Sequence, residues 1–206
     1  MDLERMMSIP KSELLATSKA IQTEDIPQLV EWLSSQDDNI RYQAFLLLQN
    51  RSAYFDDVYP FWNTFREKLK SDNSYQRSIG LMLFAENAKW DRENKMEQTI
   101  DEYLLSLNDP KPITVRQCIQ SLGKIASAKP ELCEKIASSL ISLNPASVKE
   151  TMRKSIWWIS WRFYWWKVWR FMAAHDVGYL LPALFRLRNM RITKQILEQS
   201  LCRAVS

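Results

Sequence analysis

From residue 25 onward, apolar residues return every three or four positions, the period of a helix buried along one face. The stretch DIPQLVEWLSS (25–35) places Ile26, Leu29, Val30 and Leu33 at i, i+3, i+4 and i+7, with Pro27 suited to a first turn. Asp37, Asp38 and Asn39 punctuate the pattern. Residues 39–51 then predict a partner helix with Ile40, Ala44, Leu47 and Leu48 on one face. The alternation continues as helices over 58–69 and 74–88, and then over 95–107 and 113–127. A helix over 131–143, opened by Pro130, pairs with a long segment that starts at Ser147. Asn108-Asp109-Pro110 and Asn144-Pro145 break the chain between them. About ten helices in antiparallel pairs follow from this reading, and no strand.

Four segments share one design: a polar break with Asp or Asn, then a second helix opening on a branched or aromatic residue followed by a base. They are DDNIRYQAFLLL around Arg41, SDNSYQRSIGLMLF around Arg77, DPKPITVRQCIQSLGKI around Arg116 and NPASVKETMRKSI around Lys149. The bases lie 36 (77 − 41), 39 (116 − 77) and 33 (149 − 116) residues apart, one helical hairpin per repeat. Ala44 and Gly80 both fall three residues after the base, where a small side chain lets two helices approach closely. Leu47, Leu83 and Leu122 fall six after it and are expected to be equivalent core positions.

Pro27, Leu29, Leu33, Asp38, Ile40, Arg41 and Ala44, with weaker echoes at Pro60, Phe65, Leu69, Asp72, Arg77 and Gly80 and again at Asp109, Val115 and Arg116, resemble the HEAT-repeat family of α-solenoids. The resemblance covers 24–156. It implies an all-α, right-handed stack of antiparallel hairpins, in which Arg41, Arg77, Arg116 and Lys149 join aspartates of successive repeats in a ladder. It also implies that the second helices line a concave face. One hairpin cannot bury its apolar face alone, whereas a stack buries a continuous core. We therefore expect a single solenoid domain over 1–206, with recognisable repeats over 24–156 and atypical Trp/Arg-rich capping helices over 157–206.

At about 100° per residue, Val115, Ile119, Leu122 and Ala126 face inward on the third second-helix, and Gln117, Gln120 and Lys124 face outward. The same offsets put Tyr42, Phe45 and Gln49, then Ser78, Leu81 and Ala85, then Glu150, Arg153 and Trp157 in the outward row. In the second repeat Tyr75 and Ile79 compete for the inward face.

Six of the nine tryptophans fall within 157–169. The repeat register puts Val148, Met152, Ile156, Ile159, Phe163 and Trp166 inward, and Arg153, Trp157, Trp161, Tyr164, Trp165 and Val168 outward. Four readings stay open. The outward rings are core, covered by helices at 178–190 and 192–204. Alternatively, Arg153, Trp157, Trp161, Tyr164 and Trp165 form a ligand platform, since stacked aromatics beside a guanidinium suit planar or cationic groups and partner helices. The helix could also lie at a membrane interface; spanning is disfavoured because Arg162, Lys167 and Arg170 interrupt it. Last, the segment is not the natural continuation, because Trp-Trp is what Gly-Gly codons yield when read one base out of register, as in an engineered or frame-shifted terminus.

Composition narrows the chemistry. Three glycines, at 80, 123 and 178, are too few for Rossmann turns, tight hairpins or phosphate-cradling loops. A single histidine excludes multi-histidine metal sites. Cys118, Cys133 and Cys202 have no CxxC spacing and read as free thiols of a reducing compartment. No apolar run follows the N-terminal basic residues, so no signal peptide is expected and a cytoplasmic location is. Residues 1–150 carry 18 bases and 22 acids, a net of −4; residues 151–206 carry 10 and two, a net of +8. No nucleophile, metal or cofactor motif is present. Asp56-Asp57 and Asp101-Glu102 are read as helix-edge acids that favour the dipole or solvent, and His175-Asp176 as a capping or loop pair. The expectation is a non-enzymatic scaffold without cofactor or metal, holding a peptide, protein segment or planar ligand in its concave groove. The stretch SDNSYQRSIGLMLFAENAKW is also similar to repeats of HEAT-like DNA-alkylation-repair glycosylases. That resemblance implies the alternative of nucleic-acid binding, against which stands the acidic balance of residues 1–150.

Overall fold

The structure is a computed structural model that describes residues 1–143, and all regular structure in these residues is helical. Two short helices open the chain, α1 (Leu3–Ser8) and α2 (Leu14–Ala20). They are followed by α3 (Ile26–Trp32), α4 (Asp38–Ser52), α5 (Trp62–Leu69), α6 (Ser74–Asn87), α7 (Lys95–Leu105), α8 (Pro112–Ala128) and α9 (Cys133–Ile141). The expected helices over 25–141 are thus all present. The segment from Ser147, Lys149 and the helices expected beyond it lie outside the described residues.

Local chemistry explains the boundaries. The α3, α5 and α9 helices are each entered through a 3-10 turn, at Thr23–Asp25, Tyr59–Phe61 and Pro130–Leu132. Proline suits such entries because its missing N–H would have no partner there. Asp37 caps α4 by accepting from the N–H of Asn39 at 2.7 Å, and Asn73 caps α6 by accepting from Tyr75 at 2.8 Å. Asp109 does the same for the N–H of Lys111 at 2.8 Å, just ahead of α8. The two N-terminal helices were not marked out by the sequence pattern. Both are short, and what holds them is packing on α4: Gln43 donates to the carbonyls of Met6 and Ile9, and Arg51 to those of Ser18 and Lys19 at the end of α2.

The helices pair as α3 with α4 and α5 with α6, and the longer members form a continuous row in which α4 packs on α6 and α6 on α8. Leu47 and Leu83 are fully buried, as their shared place predicts; Leu122 is fully buried too, but stands one residue further into its helix than they do. Between α5, α6 and α7 the core is aromatic: Trp62 lies edge-on to Phe84 with centroids 4.4 Å apart, and Phe84 edge-on to Tyr103 at 6.3 Å. Gly80 faces α5 closely; a Cβ there would lie 2.9 Å from the Phe65 carbonyl oxygen.

Hydrogen bonds between side chains of different pairs have a narrow spacing. Thr23–Asp57, Gln49–Glu86, Tyr59–Asp91, Arg66–Glu102, Lys68–Ser34, Arg77–Asp109, Ser52–Asn87, Lys124–Glu86 and Lys135–Asp101 all span 32 to 38 residues. Each pair is therefore bonded to the next one along the chain.

Candidate binding face

Among the described residues, a strip of exposed and half-buried side chains crosses α4, α6 and α8. Tyr42, Leu46 and Gln49 form it on α4, Tyr75, Met82 and Glu86 on α6, and Gln120 and Lys124 on α8. The two tyrosines are 56% and 60% exposed. The three helices are stitched across this strip through one carboxylate. Glu86 Oε1 accepts from Gln49 Nε2 at 3.1 Å and from Lys124 Nζ. The Arg41 guanidinium lies 5.9 Å from the centre of the Tyr75 ring. The strip thus offers two aromatic rings, apolar Leu46 and Met82, and a polar row that is nearly charge-balanced.

This strip corrects the expected outward row. Tyr42, Gln49, Gln120 and Lys124 do lie on it, and Gln117 is half-buried. Phe45, Ser78, Leu81 and Ala85 are buried instead. The α6 helix is packed by α4, α5 and α8, so its buried arc is far wider than one helical face. What remains open is Tyr75, Met82 and Glu86, and Ile79 takes the inward position for which Tyr75 competed. The platform residues Arg153, Trp157, Trp161, Tyr164 and Trp165, with Glu150, lie outside the described residues.

The expected ladder is present at one rung. Arg77 reaches Asp109, at 2.6 Å from Nε and 2.9 Å from Nη2, and its Nη1 donates to the Ser71 carbonyl at 2.7 Å. Burial alone would raise the Asp109 carboxyl, but Arg77 and the Lys111 N–H hold it below the ordinary carboxylate range. Arg41 repeats only the inner half of this arrangement, donating to the Ser35 carbonyl at 2.9 Å. Its acid partner is Asp38 of its own turn. The residue that matches Asp109 is Asn73: each stands 32 residues after its arginine (109 − 77 and 73 − 41). Arg116 is not a rung. The helix-start positions of Arg41 and Arg77, whose N–H groups bond back to the capping residues, are matched by Val115. Arg116 lies one residue further, is exposed, and has no partner among the described residues.

Of the acid pairs, Asp56 and Asp101 are exposed to solvent, as expected of helix-edge acids, but three of the four acids also hold close ion pairs. Asp57 binds buried Arg51 at 2.7 Å, Glu102 pairs with Arg66, and Asp101 with Lys135 at 2.7 Å. The Arg66–Glu102 and Lys135–Asp101 pairs link helices, and the Arg51–Asp57 pair ties the loop after α4 back to that helix.

Asp91 was not marked by any sequence motif and is the most enclosed acid of the described residues. Its carboxylate accepts from Tyr59 Oη and from the N–H groups of Lys95 and Met96, each at 2.9 Å, and lies 3.3 Å from Lys129 Nζ. Lys129 also donates to the Asp91 carbonyl at 2.7 Å and to Asn94 Oδ1 at 3.1 Å. Asn94 is left-handed, at φ 55°. Burial would raise the Asp91 carboxyl, but these donors hold it below the ordinary range, and Tyr59 is pushed well up by burial and by Asp91. A signal exists in the sequence only in hindsight, as an acid four residues ahead of a helix start. Every lone pair it offers is spent on structure, so the cluster is a joint between α7, the α5 entry and the end of α8.

Among the described residues no group of three potential metal ligands occurs, and no helix is long and apolar enough to cross a membrane. No protein-family model matches the chain, and no curated protein matches it either.

Proposed function

We propose that the helix pairs are hairpins of a HEAT-like α-solenoid, and that the protein is a binding scaffold which holds a peptide or protein segment along the strip on α4, α6 and α8. The 32-to-38-residue span of the bonds between pairs supports the repeat, since neighbour-only contact is what stacking of one hairpin per repeat requires. The observation that carries the binding reading is the strip itself: two tyrosines more than half exposed, flanked by half-buried Leu46 and Met82, on otherwise well-buried helices. Tyrosine supplies large contact area at small entropic cost, which suits a peptide-binding surface. A nucleic-acid groove is less well supported. Residues 1–143 carry 17 bases and 21 acids, a net of −4, and Glu86 sits at the centre of the strip.

The test is selection from a random peptide display library on the full chain. Peptides enriched on the natural protein should lose about 30-fold or more in affinity on Tyr42→Ala/Tyr75→Ala, the scale of two aromatic hot spots. They should bind undiminished to Leu105→Ala, which removes an apolar side chain 72% exposed on α7, away from the strip. Failure to enrich any peptide, or equal loss on both variants, would reject this reading.

A further inference from the structure

Four cationic side chains are buried among the described residues: Arg41, Arg51, Lys68 and Lys129. Removing a cation from water costs several kcal/mol unless a counter-charge repays it. Three of the four are repaid. Arg41 has Asp38, Arg51 has Asp57 at 2.7 Å, and Lys129 has Asp91 at 3.3 Å. Lys68 is 7% exposed and has no carboxylate partner among the described residues. Its ammonium donates to two neutral oxygens, Ser34 Oγ at 3.0 Å and Gln76 Oε1 at 2.7 Å. Gln76 is itself fixed, donating to the Leu33 carbonyl at 2.7 Å. The charge that acts on Lys68 is Arg41, of the same sign; burial first and Arg41 second push the Lys68 ammonium down from its ordinary value.

Where the other three cations meet a carboxylate, Lys68 thus meets a serine hydroxyl. Ser34 is exposed, in the turn between α3 and α4, and the turn reads Ser34-Ser35-Gln36-Asp37-Asp38. Acids three and four residues after a serine suit a kinase with a basic substrate groove. We propose that Ser34 is a phosphorylation site and that Lys68 and Arg41 receive its phosphate. In the transfer, Ser34 Oγ attacks the γ-phosphorus of a nucleoside triphosphate held by the kinase. A new O–P bond forms as the bond to the β-phosphate oxygen breaks. The nucleoside diphosphate leaves with that electron pair, and the hydroxyl proton passes to the kinase's base. The product carries close to two negative charges beside a buried ammonium that lacks any, and it ties the α3–α4 turn to α5 and α6. This inference does not depend on the binding strip.

The experiment uses the full chain with phosphoserine placed at position 34 during translation. Its melting temperature should exceed that of the unmodified protein by about 3–6 °C. The rise should vanish in Lys68→Gln. No rise, or the same rise in Lys68→Gln, overturns the proposal. Should Lys68→Gln not fold, Gln76→Glu gives Lys68 a permanent carboxylate and should remove most of the rise; a full rise there overturns the proposal equally. The unmodified, folded protein incubated with an acid-directed serine kinase and ATP should gain phosphate at Ser34, and its absence from that residue rejects the site. Inorganic phosphate, compared with chloride at equal ionic strength, should not reproduce the rise. A Lys68-dependent rise of the same size with free phosphate would make this a free-anion site and overturn the covalent assignment.

Discussion

Two glycines in two equivalent helices show how a single residue is decided by what lies opposite it. Gly80 in α6 faces the α5 backbone, with the Phe65 carbonyl 2.9 Å from where a Cβ would stand, whereas a Cβ at Gly123 in α8 would meet nothing within 4 Å. Alanine gains about 1 kcal/mol of helix propensity at either site. At Gly80 that gain is outweighed by forcing two helices apart, so Gly80→Ala should destabilise by about 1–2 kcal/mol net. Gly123→Ala should stabilise by about 0.5–1 kcal/mol. Urea unfolding of the two variants checks the opposite signs. The need for a small residue at Ala44 and Gly80 was legible, because it follows from helix period and spacing. Asp91 was not, because its role arises only when the loop before α7 folds back onto Tyr59 and Lys129. Its carboxyl lies below the ordinary range in the folded state. The unfolded chain therefore binds more protons as pH falls toward about 3.9, and the stability this group contributes is present above that value and lost as pH falls through the folded-state pKa. Asp91→Asn should cost about 3–5 kcal/mol at pH 7, since it strands buried Lys129. It should also flatten the loss of stability on acidification below about pH 5, leaving Asp109 and Glu102, which are held low by Arg77 and Arg66, to account for the rest. Denaturant midpoints measured from pH 7 to pH 3 give both quantities.

At the scale of the element, helix ends were readable and helix faces only partly so. Ends depend on local chemistry, such as Asp37, Asn73 and the prolines at 27 and 130, which act within a few residues. Faces depend on how many neighbours a helix has. On α8 the apolar period located Val115, Ile119, Leu122 and Ala126 inside. On α6, with neighbours on three sides, Ser78, Leu81 and Ala85 are drawn in and the period misleads. The third ladder base failed for a related reason. The N-cap of α8, Lys111, stands five residues ahead of Arg116 (116 − 111), whereas those of α4 and α6 stand four ahead of Arg41 and Arg77 (41 − 37 and 77 − 73), so counting from a conspicuous arginine put Arg116 one position off its rung. The one complete rung makes a prediction for the incomplete one. Arg77 bonds to an acid 32 residues on, whereas the residue 32 after Arg41 is Asn73. Asn73→Asp keeps the side-chain acceptor that caps α6 at the Tyr75 N–H and adds the missing charge. Because Arg41 already holds Asp38, the gain should be small, about 0.5–1 kcal/mol, and should disappear in an Arg41→Met background. A double-mutant cycle on urea midpoints measures it; no coupling between 41 and 73 would mean the pairs are not equivalent units.

Across the whole chain, charge is divided more sharply than structure. The residues that carry the strip sum to −4 over 1–143, and the strip pairs Lys124 with Glu86 at its centre, leaving Arg116 as an exposed cation beside it. Residues 151–206 hold +8, with Arg162, Lys167 and Arg170 among the tryptophans. That contrast was plain from the sequence, whereas the candidate platform of Arg153, Trp157, Trp161, Tyr164 and Trp165 rests on carrying a helical register forward from repeats whose own register shifts at α8. Polyanion binding depends on how many cations replace counterions on the phosphates, and each such contact steepens the loss of affinity with salt. The two ends therefore make different predictions for DNA. If duplex DNA binds at low salt, Arg162→Gln/Lys167→Gln/Arg170→Gln should weaken it and reduce the slope of log affinity against log salt by about 2–3. Arg116→Gln/Lys124→Gln should reduce the slope by about 1 at most, because Lys124 is already neutralised by Glu86 and Arg116 alone is left to meet a phosphate. A salt titration by fluorescence anisotropy separates the cases. Weakening caused by the second variant and not the first would place a phosphate-binding groove on α8, and would favour the nucleic-acid reading over the peptide scaffold.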